Sequence, residues 1–371
     1  MPYIPFRPSS SSSLAQGKFT YRIGASSAAK RAPQRQPQYN RDYFLYPSTN
    51  TPAQQPYLRS TKDVSGEDAF FATTIGPGNA HAVSFGVADG VGGWQDQGVD
   101  PSDFSHGIVG YMAGSAHLFD EKEEKKRLRP LALLQTAFDA VMANPRIVAG
   151  GSTVSLAVAD ETGALECANL GDSSFLLLSP GKITHRSPIQ THAFNTPYQL
   201  SKIPAQLQAQ HAIFGSQHFA ETPSQADVTR HSVRHGDIVV FATDGVWDNL
   251  SAQDALGIVT KVMCDEGYWF HDNSSGEEMM LDEGLVRKIP QEITKDVRET
   301  FLPGLLATAI MREAKSAGLD RRRNSPFAKE VNARYPDEGW EGGKPDDIAV
   351  VVCIAVQEDG EVQEKPIKAK L

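Results

Sequence analysis

Three apolar stretches of this chain meet acid abruptly. Phe85-Gly86-Val87-Ala88 stops on Asp89-Gly90, the run from Ile238 to Thr243 stops on Asp244-Gly245, and Asp346-Asp347 heads the run from Ile348 to Val356. Continuous apolar runs of this length, rich in Val, Ile and Phe, predict buried strands. A carboxylate at the end of such a strand is rigidly aimed, and a neighbouring glycine lets the backbone come close to a ligand. One Asp-Gly after a strand is an ordinary turn. Its recurrence constrains the fold, because stacked strands must put those acid ends somewhere.

A fourth acidic position, Glu67-Asp68, heads a strand that runs to Thr73. The turn Gly76-Pro77-Gly78-Asn79 then leads into a strand from His81 to Ala88, so a hairpin brings Glu67 and Asp68 towards Asp89. Helical spacing follows at Phe104, Ile108, Tyr111, Met112 and Leu118, and again from Leu131 to Met142. The stretches Thr153 to Ala159, Leu165 to Leu170 and Phe175 to Leu178, separated by short turns, predict a three-strand antiparallel meander. Residues 187 to 230 lack clear periodicity and read as an irregular flap over it. After Asp244, helices are expected around Ala255 to Val262 and from about Val297 to Ala317. An acidic insertion at Glu277 to Glu283 separates them, and Ser325-Pro326-Phe327-Ala328 interrupts the pattern after them.

Nothing repeats at a fixed period, and a chain of 371 residues with 40% hydrophobic content supports one catalytic-sized domain with tails. The net charge of -9 is unevenly spread: residues 1 to 51 hold seven Lys/Arg against the single acid Asp42, so the remainder is strongly acidic. An acidic body argues against nucleic-acid binding, which needs a basic face to neutralise phosphates. The first segment is serine-rich, arginine-bearing and poor in acids, the composition of an organelle transit peptide. We therefore expect residues 1–52 to be a disordered basic leader, 53–357 the catalytic domain and 358–371 a charged tail. No run of 18 apolar residues predicts a membrane span. Cys167, Cys264 and Cys353 lack metal-site spacing, read as reduced thiols, and have no Arg six residues on to cradle phosphate, which excludes cysteine-based phosphate chemistry.

If antiparallel strands bring Glu67/Asp68, Asp89, Asp244 and Asp346/Asp347 to one edge, their like charges raise each other's pKa values or recruit cations. Hard oxygen donors without His or Cys favour Mg²⁺ or Mn²⁺ over Zn²⁺. Two such ions can share a water, lower its pKa and aim it at phosphorus in line with the leaving oxygen.

The ordered set Glu67-Asp68, Phe85-Gly86-Val87-Ala88-Asp89-Gly90, Gly150-Gly151-Ser152-Thr153, Asn169-Leu170-Gly171-Asp172-Ser173, Ala242-Thr243-Asp244-Gly245-Val246-Trp247-Asp248 and Pro345-Asp346-Asp347-Ile348 resembles the protein phosphatase 2C family of metal-dependent serine/threonine phosphatases over roughly residues 60 to 355. Gly90-Val91-Gly92-Gly93-Trp94, Ser325-Pro326-Phe327-Ala328 and Gly343-Lys344-Pro345-Asp346-Asp347 are similar to its mitochondrial branch. The resemblance implies an α+β fold with a central sandwich of two antiparallel β-sheets flanked by helices on both sides. It implies that Asp89 bridges two Mg²⁺ or Mn²⁺ ions, that Asp244 and Asp346 hold the first, and that Glu67 and the Gly90 carbonyl serve the second, with Asp68 orienting the attacking water. Asp172 and Asp248 match positions that, with Asp244, bind a weaker third ion in some members. Asp347 stands where many members have Asn, and is expected to lie behind the ligands.

Two departures stand out. Many members carry an Arg four residues before the Glu to clamp substrate phosphate; here that position is Asp63, leaving Arg59 or Lys62 as substitutes. Many also have a His after the Asp-Gly as general acid; here it is Val91, leaving His192 as a candidate. The expected function is hydrolysis of phosphoserine and phosphothreonine in proteins by a monomer of the mitochondrial matrix. The alternative is a catalytically silent scaffold of the same fold that binds phosphoproteins. An aspartyl-nucleophile phosphatase is excluded because Asp244 is followed by Gly245-Val246 rather than by Asp-x-Asp spacing.

Overall fold

The computed structural model describes residues 17–30, 58–124, 126–205, 207, 219–271, 278–290 and 301–358. Two antiparallel sheets form its centre. The five-stranded sheet runs Phe19–Ala28, Ile348–Gln357, Ile238–Ala242, Ser174–Ser179, Lys182–Arg186 in spatial order. The six-stranded sheet runs Asp227–Ser232, Ala164–Leu170, Val154–Ala159, Val83–Ala88, Ala69–Thr74, Leu58–Arg59.

The continuous apolar runs have a physical reason in this stacking, since both faces of each sheet are covered. Along Ile348–Gln357, Ala349, Val351, Cys353 and Ala355 point into the layer between the sheets, where Phe85, Phe175 and Phe241 also meet. Phe241 stacks on Phe175 at 4.9 Å between centroids and meets Phe85 edge-on at 5.4 Å. The alternate residues Ile348, Val350, Val352, Ile354 and Val356 point outward onto the helices Ala252–Asp265 and Leu302–Leu319. On the other side, Phe71, Leu156 and Ala168 pack under the helices Pro101–His117 and Pro130–Ala143. The result is the expected four-layer α+β sandwich of helices, sheet, sheet and helices. Local signals start the helices: Asp100 accepts from Ser102 N at 3.0 Å ahead of Pro101, and Ser251 and Asp254 form a reciprocal capping box.

The structure corrects several expectations. The three consecutive strands from Val154 to Ser179 are not one meander: Val154–Ala159 pairs with Ala164–Leu170, but Ser174–Ser179 pairs with Ile238–Ala242 in the other sheet. The turn Gly171-Asp172-Ser173 therefore crosses between sheets, with Gly171 at φ 101°, a left-handed conformation that glycine adopts without a Cβ clash.

The leader boundary at residue 52 is also corrected. Phe19–Ala28 is a ten-residue strand paired along its whole length with Ile348–Gln357. Within it, Arg22 is buried and satisfied: Nε donates to Ile289 O at 2.7 Å, and Nη2 pairs with Glu358 at 3.0 Å. Residues 1–16 and 31–52 of the expected leader, 53–57 of the expected domain and 359–371 of the expected tail lie outside the described residues.

Ser325 does not merely break a pattern; its hydroxyl accepts from Ala328 N at 3.0 Å and starts the helix Pro326–Arg334. The flap contains a small ribbon, Thr191–Ala193 with Thr196–Pro197, and a strand Leu200–Lys202 paired to Gly150–Ser152; its residues 206 and 208–218 lie outside the described residues. In the acidic insertion Met279–Leu281 pairs with Trp269–His271, and Glu277 lies outside the described residues. The last long helix runs Leu302–Leu319; the expected start at Val297 also lies outside them. Among the described residues no helix is long and apolar enough to cross a membrane.

Candidate active site

Register carries the acids to one end of the sandwich. In the six-stranded sheet Ala69 lies opposite Ala88, so Asp68, just before one strand, and Asp89, just after the other, leave the sheet together. In the five-stranded sheet Ala242 lies opposite both Val350 and Ser174, so Asp244, Asp346 and the Asp172 turn emerge side by side. The two groups face each other across a cleft of about 1470 Å³ lined by Glu67, Asp68, Asp89, Gly90, Asp172, Asp244, Asp346 and Asp347. Asp248 is not on that lining and joins the group through Lys344.

The backbone around these acids is pinned. Asp89 O accepts from Thr153 N at 2.9 Å and from Ser152 Oγ at 2.8 Å, while Gly90 N donates to Glu67 O at 3.2 Å. Asp347 accepts from the backbone N–H of Glu67 at 2.8 Å and from that of Lys30, which ties both segments to it. Asp68 is 1% exposed and its Oδ2 accepts from Thr243 Oγ1 at 2.6 Å. Gly245 permits the closest approach: a Cβ there would lie 2.0 Å from Asp347 O, so any other residue would push the Asp244 and Asp346 segments apart.

Burial first, and then mutual repulsion, disfavours charge on these groups. Asp68 and Asp89 are held well above the ordinary carboxylate range by burial and by their acidic neighbours, Asp347 and Asp244 foremost. Asp248 is likewise held well above it, by burial and then Asp244, and Asp172 is pushed up to about 7 by the same two causes. Asp244 is the exception. Burial would raise it, but the Lys344 ammonium outweighs that and holds it below its ordinary value.

The sequence reading missed Lys344. Its Nζ reaches Asp248 Oδ2 at 2.6 Å, Asp244 Oδ2 at 2.9 Å, Asp346 Oδ2 at 3.2 Å and Asn195 Oδ1 at 3.1 Å. Other cations on the cleft wall are Lys30, whose Nζ lies 3.6 Å from Asp346 Oδ1, and Arg312 and Lys315 of the helix Leu302–Leu319. Lys344 directly precedes Pro345-Asp346-Asp347 in the sequence, and that adjacency to the acids is the signal that could have found it.

The expected substitutes fare differently. Arg59 is buried at 6% exposure and is not on the cleft wall; Lys62 is on it, paired with Asp100 at 3.3 Å and with Asp103. His192 is corrected as a general acid: it is off the cleft wall, bonded to Glu221 at 2.9 Å and stacked between Tyr198 and Phe219. Cys167 and Cys353 are buried thiols pushed up by that burial, which leaves them inert as nucleophiles.

Among the described residues, no three or more Asp, Glu, His or Cys are gathered closely enough to hold a metal ion in the side-chain positions seen, with Lys344 drawing three of the carboxylates to itself. The donor chemistry nevertheless fits a hard divalent cation. All donors are oxygens, their charges repel one another in partial burial, and Asp172 Oδ1 is buried without a hydrogen-bond partner.

A scan against protein-family models finds no match. Among curated proteins, the chain is 32% identical over 298 residues to the protein phosphatase PTC7 homolog of Homo sapiens, spanning 79% of this chain and 80% of that one. It is 32% identical over 319 residues to the PTC7 homolog fig of Drosophila ananassae, 81% of each chain. It is 30% identical over 343 residues to the mitochondrial protein phosphatase 2C homolog 7 of Saccharomyces cerevisiae, 92% of this chain and 84% of that one. Among solved structures, the photosystem II phosphatase PBCP shares the fold, with a TM-score of 0.58 at 23% identity over 90% of this chain and 98% of its own.

Proposed function

The chain belongs to the protein phosphatase 2C family and is a serine/threonine phosphatase, and from that premise we propose that the acid-lined cleft is its catalytic centre and that it works with Mg²⁺ or Mn²⁺. The observation that carries the reading is the meeting of the acid ends of both sheets at one cleft.

Asp89, Asp244, Asp346, Glu67 and the Gly90 carbonyl are the groups that would hold these ions, with Asp89 central to the set. Bound there, such ions would supply positive charge for the phosphoryl oxygens and an acidified water as nucleophile. The chain's own residues do the positioning. Asp68, fixed by Thr243, faces the cleft to orient that water, and Asp347 holds the Glu67 backbone in place. Lys30, Arg312 and Lys315 on the wall offer charge to a phosphate dianion, a role Asp63 cannot fill. Leaving-oxygen protonation falls to solvent, because Val91 has no ionisable proton to donate. All these residues come from one chain, so a monomer suffices.

The yeast relative is named mitochondrial, which supports the reading that the substrates are phosphoproteins of the mitochondrial matrix. Full-length chain fused at its C-terminus to a fluorescent protein should accumulate inside that compartment; a diffuse cytosolic signal would refute it. Hydrolysis of p-nitrophenyl phosphate and of a phosphothreonine peptide should require added Mn²⁺, stop on chelation, and fall at least about a hundredfold in Asp89→Asn, equivalent to about 2.7 kcal/mol of barrier. Activity equal to wild type in that variant would refute the metal-centre assignment, and no Mn²⁺-dependent activity in the wild type would leave the catalytically silent scaffold.

A further inference from the structure

The ammonium of Lys344 sits where a cluster of acids would otherwise need another cation. Its side chain is 17% exposed and its three N–H donors are spread over Asp248, Asp244, Asp346 and Asn195. Its backbone is fixed on both sides, with N donating to Asn249 Oδ1 at 2.9 Å and O accepting from Asn249 Nδ2 at 2.8 Å. One residue earlier, Gly343 N donates to Asp320 O at 2.9 Å, and the Phe327 ring backs the ammonium at 5.2 Å. A lysine held this way is a built feature of the site rather than a surface charge that swings in.

Lys344 also uses only one oxygen of each partner that the proposed centre needs. It takes Oδ2 of Asp244 and Oδ2 of Asp346, while Oδ1 of Asp346 accepts from Asp347 N at 3.1 Å and lies 3.6 Å from Lys30 Nζ; Asp248 has no place on the cleft wall and faces Lys344 instead.

Resting on the metal-centre reading above, we infer that Lys344 is a resident cation that neutralises the Asp244–Asp248 side of the cluster and confines divalent-ion binding to the Asp89 side, so that Asp248 ligates no ion in this chain. A monovalent ammonium satisfies the same acids without the desolvation a further divalent ion would demand.

The test is a count of bound ions, read from the loss of the free-Mn²⁺ electron paramagnetic resonance signal as Mn²⁺ is titrated into metal-free full-length protein. Wild type should saturate at about two ions per chain, and Asp248→Asn should leave that number unchanged. Lys344→Met should gain about one further ion, which Lys344→Met/Asp248→Asn should lose again. An unchanged count in Lys344→Met, or a count that falls in Asp248→Asn alone, would overturn the inference while leaving the metal centre standing. A wild-type protein that binds no Mn²⁺ would overturn both. Should Lys344→Met fail to fold, judged by its circular dichroism, the count in Asp248→Asn still decides.

Discussion

Deleting residues 1–30 should destroy the fold, although their composition is that of a removable leader. The strand Phe19–Ala28 pairs with its neighbour from Phe19↔Gln357 to Ala28↔Ile348, and buries Phe19, Tyr21, Ile23 and Ala25 between the sheets. At about 1.5–3 kcal/mol for each large side chain withdrawn from water, Phe19, Tyr21 and Ile23 together contribute about 5–9 kcal/mol. A domain's whole stability is about 5–15 kcal/mol. The deletion also leaves Ile348–Gln357, buried along nearly all its length, as a long bare apolar edge open to other chains. A chain starting at residue 31 should therefore lack a cooperative urea transition and aggregate, while one starting at residue 17 should keep the full-length midpoint by circular dichroism. Tyr21→Ala grades the effect: it removes a buried ring and a hydroxyl that donates to Asp160 O at 2.6 Å, and should cost about 3–5 kcal/mol. Matching midpoints for the chains starting at residues 1 and 31 would refute the placement of this strand. If it holds, processing of any leader must cut before Phe19.

Two further outcomes follow from buried groups. His106 is 1% exposed and its Nε2 lies 3.2 Å from Gly66 O; burial, and then the positive charge of Arg59, holds its pKa down to about 3. The folded chain refuses a proton that the unfolded chain accepts below about 6.5, so this residue's contribution is complete above that value and declines as pH falls. Between pH 7.5 and pH 5 the wild type should lose about 2 kcal/mol more than His106→Gln, by urea denaturation at both pH values, and parallel losses would contradict this. Gly171→Ala puts a Cβ on a left-handed residue and 2.7 Å from Thr153 Cβ; it should cost about 1–3 kcal/mol and, by moving the Asp172 turn, lower phosphatase turnover in the same samples.

Much of the fold could be read in advance because its strands are covered on both faces, which writes burial into sequence as unbroken apolar runs such as Ile348 to Val356. What could not be read was pairing between segments distant in sequence. The turn Gly171-Asp172-Ser173 has the length of a hairpin, and nothing local says that the strand after it joins Phe241 in the opposite sheet. The strand Phe19–Ala28 failed for a different reason. Its alternation of Phe19, Tyr21, Ile23 and Ala25 with Thr20, Arg22, Gly24 and Ser26 is a period-two pattern, but the surrounding charge balance outweighed it. That balance misled because Lys18, Arg22 and Lys30 all have acidic partners in the fold: Glu161, Glu358 and Asp346.

The site divides in the same way, and the division is electrostatic. Acids at strand ends are legible because a carboxylate needs a rigid mount to be useful, and the strand that mounts it is visible in the sequence. Their compensating cation is not, since an ammonium on a flexible stem can reach the cluster from any nearby loop. Yet Asp244 is lowered while Asp89, Asp172 and Asp248 around it are raised: Lys344 acts on Asp172 and Asp248 as well, but only at Asp244 does its pull, joined by hydrogen bonds with Asp89 and Asp248, outweigh burial. A cluster this acidic has to recruit positive charge to stay folded without ions and to stay open to them when they arrive. Placing one fixed cation on a single oxygen of Asp244 and a single oxygen of Asp346 meets both demands with one side chain.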